Sequence, residues 1–115
     1  MKLLHAPTSP FVRKVMAVAH LAGLTDLIEI EFNAASPLQR DPALVDRNPL
    51  GKIPALVLDD GRVLFDSPVI CEYLAARGSA PDLYPEGDTR WDALTQQALG
   101  DGLLDAAIAA RYEKL

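Results

Sequence analysis

The segment GKIPALVLDDGRVLF, residues 51–65, most constrains the fold of this 115-residue chain. Two short apolar runs, ALVL and RVLF, flank Asp59, Asp60 and Gly61. An Asp-Gly pair between such runs is typical of a tight turn that joins antiparallel strands. Pro54 stands at the entrance of the first run, where it supplies no N–H to a strand ladder. The segment therefore predicts a β-hairpin whose first strand begins directly after a proline.

The first thirty residues predict a strand, a helix and a second strand. Residues 2–5 (KLLH) form a short apolar run, and Ser9 followed by Pro10 is a typical N-cap and first position of a helix. We expect this helix to extend to about Ala22. Residues 27–32 (LIEIEF) alternate apolar and acidic side chains, which indicates a strand with one solvated face. This order favours a parallel pair of strands joined by a right-handed crossover.

A second helix is predicted after the hairpin, because Ser67-Pro68 repeats the cap and first-turn pattern of Ser9-Pro10. We expect it to run to Gly78 and to bury one apolar face, formed by Val69, Ile70, Tyr73 and Leu74. Residues 33–51 contain three prolines and no sustained period. They predict a loop with one helical turn around PALVD.

The chain divides into three parts at this level. Residues 1–78 predict one compact domain, and the turn-rich residues 79–88 predict a linker. Residues 89–115 predict the start of a helical domain, weakened in its middle by Gly100 and Gly102, with Trp91 and Tyr112 expected in a core or an interface. The amphipathic pattern reaches the last residue without a stop signal. We therefore expect the chain to be part of a longer protein.

Composition excludes several classes of function. The net charge is −5 and lysine and arginine form no cluster, so we expect no nucleic-acid or membrane-surface partner. The single cysteine, Cys71, excludes an internal disulfide and a zinc site of several thiolates, and the isolated His5 and His20 predict no metal site. No apolar run approaches the ~18 residues of a membrane span. We expect a soluble cytoplasmic protein.

Three strings in the expected order, TSPFVRK, NPLGKIPALV and LFDSPVICEYL, resemble the N-terminal glutathione-binding domain of glutathione S-transferases. The resemblance covers residues 1 to about 85. It implies an α/β, thioredoxin-like fold with a mixed sheet, followed by the first helical segment of an all-α domain. Taken alone, each motif has a simpler interpretation: Ser9 and Ser67 as helix caps, and Pro54 as a trans proline that starts a strand.

The resemblance also implies a glutathione site. Ser9 takes the position of the catalytic residue that contacts the glutathione thiol, and Thr8 beside it is the second candidate donor. Pro54 corresponds to a cis proline, and Ile53 before it offers its backbone to the cysteinyl part of glutathione. A cis X-Pro bond costs only ~0.5–1 kcal/mol and turns the chain sharply, which suits this role.

Three further residues complete the implied site. Asp66 and Ser67 match an acidic-serine pair that binds the γ-glutamyl end of glutathione, with the carboxylate suited to the ammonium and the serine to the α-carboxylate. Lys52 matches a position that can meet the glycyl carboxylate. Glutathione is then the co-substrate, with no metal required.

The function implied is a glutathione transferase that joins glutathione to an electrophilic small molecule. Without the remaining helices of the second domain, apolar surface on the third helix and around Trp91 should be exposed, so we also expect a homodimer. The chain has no Cys-x-x-Cys at the start of the first helix, where Ser9 and Val12 stand, so dithiol exchange is excluded there. One alternative is a non-catalytic protein-interaction module with the same fold. A third possibility, a glutathione-dependent reductase, requires an activated cysteine, and we expect Cys71 to be buried and inert.

Overall fold

The computed structural model describes residues 1–33, 35–36 and 39–113. These residues form two compact units, Met1–Pro81 and Asp82–Leu115. The strands are β1 (Lys2–His5), β2 (Glu29–Phe32), β3 (Ala35–Ser36), β4 (Gln39–Arg40), β5 (Ala55–Val57) and β6 (Val63–Leu64). The helices are α1 (Pro10–Leu21), α2 (Pro42–Arg47), α3 (Ser67–Arg77) and α4 (Thr89–Glu113), with 3₁₀ turns at Thr25–Leu27 and Pro81–Leu83.

Four strands form one mixed sheet in the order β2-β1-β5-β6. β1 is parallel to β2, and β5 is antiparallel to both β1 and β6. The parallel pair and the hairpin predicted from the sequence are therefore confirmed, as is the α/β thioredoxin-like class. The strands β3 and β4 form a separate two-stranded ladder within the segment predicted to be a loop.

The core lies on both faces of the sheet, because the central strand β1 buries Leu3 and Leu4 completely. Successive side chains of a strand point to opposite faces. Leu4 packs with Leu44 and Ala55 on one face. Helices α1 and α3 pack against each other; the buried side chains of these helices are Val12, Val15 and Ala19 of α1 and Ile70, Cys71, Leu74 and Ala75 of α3, together with Ser67.

Three sequence-based expectations were wrong in detail. Val69 was expected on the buried face of α3, but it is 49% exposed, because the buried stripe of this helix consists of Ser67, Ile70, Cys71, Leu74 and Ala75 and Val69 lies outside it. Ser67 was expected to be the N-cap of α3, but that position belongs to Asp66, whose carbonyl accepts from Ile70 N–H at 3.2 Å. The first part of the segment 27–32 is not extended, since residues 25–27 form a 3₁₀ turn.

The helix α4 runs without interruption through Gly100 and Gly102. Two glycines lower helix propensity by about 1 kcal/mol each, which is too little to break a helix of 25 residues. None of its described residues is buried, and Trp91, expected in a core or an interface, is 63% exposed. Within the described ranges, no helix has the length and apolar character needed to cross a membrane.

The carboxyl ends of α1 and α3 meet at Gly78. A Cβ atom added to Gly78 would lie 2.3 Å from the carbonyl oxygen of Ala22. The same carbonyl accepts from Ser79, from its N–H at 3.0 Å and from its hydroxyl at 3.2 Å. The backbone contact therefore requires glycine at position 78, because any side chain would push the two helices apart.

We predict that Gly78→Ala lowers the free energy of unfolding by about 1–3 kcal/mol, the usual cost of overpacking a closely fitted contact. Gly100→Ala is the control, because a Cβ there meets open space and alanine is the better helix former. It should leave stability unchanged or raise it. Urea denaturation followed by circular dichroism measures both, and equal stability of Gly78→Ala and the parent would contradict the close contact.

His5 ends β1 beside Phe32 of β2, and the two rings meet edge to face with centroids 5.3 Å apart. The Nδ1 atom of His5 is buried and has no hydrogen-bond partner among the described residues. Desolvation by burial lowers the pKa of His5 below its ordinary value. The folded protein therefore favours the neutral imidazole.

The sign of this shift predicts that the free energy of unfolding falls as the pH drops below ~6.5, the ordinary histidine value. Between pH ~6.5 and the lowered pKa of folded His5, the unfolded chain binds a proton that the folded chain does not. The free energy of unfolding therefore decreases as the pH falls through this range. Urea titrations at several pH values should show the decline, and His5→Gln should flatten it. His20→Gln, on the exposed surface of α1, should not. An identical pH dependence in parent and His5→Gln would contradict the prediction.

Candidate functional site

The strand register brings three chain segments to one edge of the sheet. Leu4, one residue before the end of β1, pairs with Ala55 at the beginning of β5. Leu56 pairs with Leu64 at the end of β6. Because β5 runs antiparallel to both neighbours, the ends of β1 and β6 lie beside the beginning of β5.

The residues predicted for the site lie in the segments that leave this edge. Ser9 follows β1, Ile53 and Pro54 precede β5, and Asp66 and Ser67 follow β6. Loops at the ends of strands are the usual location of binding residues on a rigid scaffold.

Ser9 is the N-cap of α1, as the sequence predicts. Its Oγ accepts a hydrogen bond from Val12 N–H at 3.3 Å, and its carbonyl accepts from Arg13 N–H at 3.1 Å. A serine hydroxyl has two acceptor lone pairs and one donor hydrogen. Capping uses a lone pair only, so the same hydroxyl retains a hydrogen that it can donate to a ligand. Thr8 lies next to it and is exposed.

Two helices begin at this edge of the sheet. α1 starts one residue after Ser9, and α3 starts at Ser67 directly after β6. Each helix start carries N–H groups without an intrahelical acceptor and a partial positive charge, which together favour an anion. Ser67 is 2% exposed, whereas Asp66 is exposed and its side chain makes no capping hydrogen bond. The start of α3 thus combines a site for an anion with a carboxylate suited to a cation.

The entrance to β5 is shaped by Ile53 and Pro54. The peptide bond between them is cis, and a second cis bond joins Phe65 to Asp66. The Ile53 side chain packs against the cluster that contains Leu4 and Leu44. Because that side chain is used in packing, the part of Ile53 suited to a ligand is its backbone.

Lys52 is exposed, and its backbone takes part in a hydrogen bond. Its carbonyl oxygen accepts from Asn48 Nδ2 at 2.8 Å. Cys71 lies apart from the candidate site, completely buried on α3. The expected burial of Cys71 is therefore confirmed.

Sequence reasoning missed Asn48, which is 1% exposed and directly precedes the turn that leads to Ile53. Asn48 Nδ2 donates to the Lys52 carbonyl, and Asn48 Oδ1 accepts from Leu50 N–H at 3.0 Å. Asparagine commonly bonds to the backbone two residues ahead in turns, so the string Asn-Pro-x-Gly carried a signal for this contact.

The helix α2 carries Asn48 at its C-cap and is joined to the sheet by charged groups. Arg47 in its last turn donates to the Glu31 carboxylate of β2, and Lys2 lies 3.8 Å from the same carboxylate. Asp41 caps its start by accepting from Ala43 N–H at 3.0 Å. The Arg47–Glu31 pair joins α2 to β2 but is partly exposed and contributes little stability by itself, whereas the buried Leu44 packs α2 against Leu4 and Ala55.

Among the residues that the structure describes, no group of three or more His, Cys, Asp or Glu side chains is placed to hold a metal ion. The candidate site described above is instead made of hydroxyl, backbone and helix-terminal groups. Such groups suit a small peptide that carries both carboxylates and an ammonium.

Comparisons with known proteins show which family and which solved structures the chain is similar to. The chain is 36% identical over 115 residues to the Escherichia coli (strain K12) "Uncharacterized GST-like protein YibF", covering 99% of this chain and 55% of that protein. A crystal structure of a glutathione transferase family member from Pseudomonas fluorescens Pf-5 with bound glutathione has a TM-score of 0.93 and 47% identity, covering 97% of this chain and 55% of that one.

A second structure of a Pseudomonas fluorescens Pf-5 family member, with bound S-(propanoic acid)-glutathione, has a TM-score of 0.85 and 44% identity, covering 98% of this chain and 54% of that one. The chain spans about half the length of these relatives. Residues 8–77 match the family described as "Glutathione S-transferase, N-terminal domain". The chain therefore belongs to the glutathione S-transferase family.

Proposed function

We propose that the protein binds glutathione and activates its thiol for conjugation to an electrophilic small molecule. The observation that carries the proposal is the meeting of Ser9, the Ile53 backbone and the Asp66-Ser67 pair at one edge of the sheet, where two helices begin. The Pseudomonas fluorescens Pf-5 relatives, crystallised with glutathione and with S-(propanoic acid)-glutathione, support it.

The start of α3 would bind the γ-glutamyl end of glutathione. The exposed Asp66 carboxylate suits the ammonium group, and the Ser67 hydroxyl and N–H suit the α-carboxylate. Ile53 would pair through its backbone with the cysteinyl main chain, as an added strand pairs with a sheet edge. The exposed Lys52 would meet the glycyl carboxylate.

Ser9 would supply most of the activation of the thiol. Lowering a thiol pKa from ~8.5 to ~6.5 requires about 2.7 kcal/mol of differential stabilisation. The α1 dipole contributes ~0.3–1 kcal/mol, so the larger part must come from a hydrogen bond to the charged sulfur, worth ~1.5–3 kcal/mol. The donor hydrogen that Ser9 retains while capping α1 can supply that bond.

The reaction follows from these roles. The bound thiol loses its proton to solvent, and the Ser9 hydroxyl donates to the resulting thiolate. The sulfur electron pair forms a C–S bond with the electrophile, and the bond that breaks in the electrophile takes its electron pair to the displaced group. Proximity of the two reactants supplies the remaining acceleration, and no covalent enzyme intermediate forms.

The proposal extends to the organisation of the protein. Residues 1–78 would form the glutathione-binding domain, 79–88 the linker and 89–115 the start of a helical domain. We propose a homodimer in the cytoplasm, a compartment that keeps thiols reduced. Glutathione-dependent reduction is a weaker candidate because Cys71 is completely buried and the start of α1 has Ser9 where such chemistry needs a cysteine.

We predict that Ser67→Ala weakens glutathione binding by about ten- to hundredfold, because a hydrogen bond to a charged carboxylate is lost. Isothermal titration calorimetry measures this. Ser79→Ala is the matched control, since it removes a hydroxyl beyond the opposite end of α3 and should leave the affinity unchanged. Absence of saturable binding to the folded parent would refute the proposed function and favour the non-catalytic interaction module.

We predict that Ser9→Ala raises the pKa of the bound glutathione thiol by about 1–2 units, because the charge-assisted hydrogen bond disappears. The ultraviolet absorbance of the thiolate, followed against pH at saturating glutathione, measures the shift. Thr8→Ala is the control and should leave the thiol pKa unchanged. A rise with Thr8→Ala and none with Ser9→Ala would transfer the donor role to Thr8.

A further inference from the structure

Asn48 is buried and polar, and it lies outside every role described so far. Its side chain is 1% exposed, and it spans the turn of residues 48–52 by donating to the Lys52 carbonyl and accepting from Leu50 N–H. A buried amide with both ends satisfied holds its partners firmly, because breaking either bond leaves an unsatisfied polar group in the interior.

The Lys52 carbonyl belongs to the same peptide unit as the N–H of Ile53. This peptide is not among the cis bonds of the described residues, so it is trans and planar. In a trans peptide the C=O and N–H groups point in opposite directions. By holding the Lys52 carbonyl toward the buried Asn48 amide, the protein directs the Ile53 N–H away from the interior.

Other contacts of Asn48 fix the same turn. Its backbone N–H donates to the Leu44 carbonyl of α2, and its backbone carbonyl accepts from Gly51 N–H, each at 2.8 Å. Gly51 has a φ of +65°, in the left-handed region that favours glycine. The Lys52–Ile53 peptide is therefore linked through Asn48 to α2, which is itself bound to β2.

We infer that Asn48 is a positioning residue that orients the Ile53 N–H toward the main chain of a bound glutathione. The inference rests on the proposed function, and it adds a residue that does not itself touch the ligand. Only an amide side chain can bond to both ends of the turn, because the Lys52 carbonyl needs a donor and the Leu50 N–H needs an acceptor. A serine could keep the acceptor but has no amide hydrogen at the required reach.

The test compares glutathione affinity in Asn48→Ala, Asn48→Ser and Leu24→Ala by calorimetry. Asn48→Ser preserves the turn by accepting from Leu50 N–H, so it should fold even where the alanine variant does not. We expect both Asn48 variants to bind about tenfold more weakly than the parent. Leu24→Ala, which removes a buried side chain just beyond the end of α1 that lies opposite Ser9, should stay within about twofold.

Parent affinity in Asn48→Ser would overturn the inference, because a residue that merely closes the turn is replaced adequately by serine. Equal weakening in Leu24→Ala would also overturn it, since the loss of affinity would then follow the loss of stability. Weakening confined to the Asn48 variants supports it.

A second measurement separates this inference from the proposed function. Residual dipolar couplings of the ligand-free protein report the direction of the Ile53 N–H relative to β5. We expect this direction to change in Asn48→Ser and to persist in Leu24→Ala. If the parent does not bind glutathione, the proposed function fails. The positioning role is tested independently: an altered Ile53 coupling in Asn48→Ser supports it, and an unaltered coupling overturns it.

Discussion

The antiparallel register of β5 against both β1 and β6 is the constraint on which the candidate site depends. Pairing Leu4 with Ala55 and Leu56 with Leu64 aligns the end of β1, the start of β5 and the end of β6. A shift of one residue would exchange the side chains that face the two sides of the core and move the ends of the three strands out of alignment. The buried leucines on these strands therefore fix the site as well as the core.

Much of this arrangement could be predicted from local sequence signals. Ser9-Pro10 marked the start of α1, and the Asp-Gly turn marked the hairpin, because caps and tight turns depend on a few adjacent residues. The exposure of Val69 and the burial of Val12 could not be predicted in this way. They depend on which helix packs against which, and that is decided by contacts between residues distant in the chain.

The site was predictable in part for the same reason. Ser9, Ile53, Pro54, Asp66 and Ser67 stand in recognisable strings, whereas the role of Asn48 depends on a hydrogen bond to Lys52 that a string does not display. The burial of His5 Nδ1 could not be predicted from the sequence either, because the burial of a strand end depends on tertiary packing. Residues that orient a binding site without lining it are generally harder to identify from a sequence than residues that line it.

In the proposed function the Ser9 hydroxyl both caps α1 and donates to the thiolate, and this combination limits which residues can occupy position 9. An N-cap needs only an acceptor, so aspartate or asparagine would begin α1 as well as serine does. An ionised aspartate has no hydrogen to donate and would repel a thiolate, so it would preserve the helix while opposing the charge that develops at the sulfur. Serine and threonine alone combine a small capping oxygen with a hydroxyl hydrogen, and the start of one helix thereby limits the chemistry available beside it.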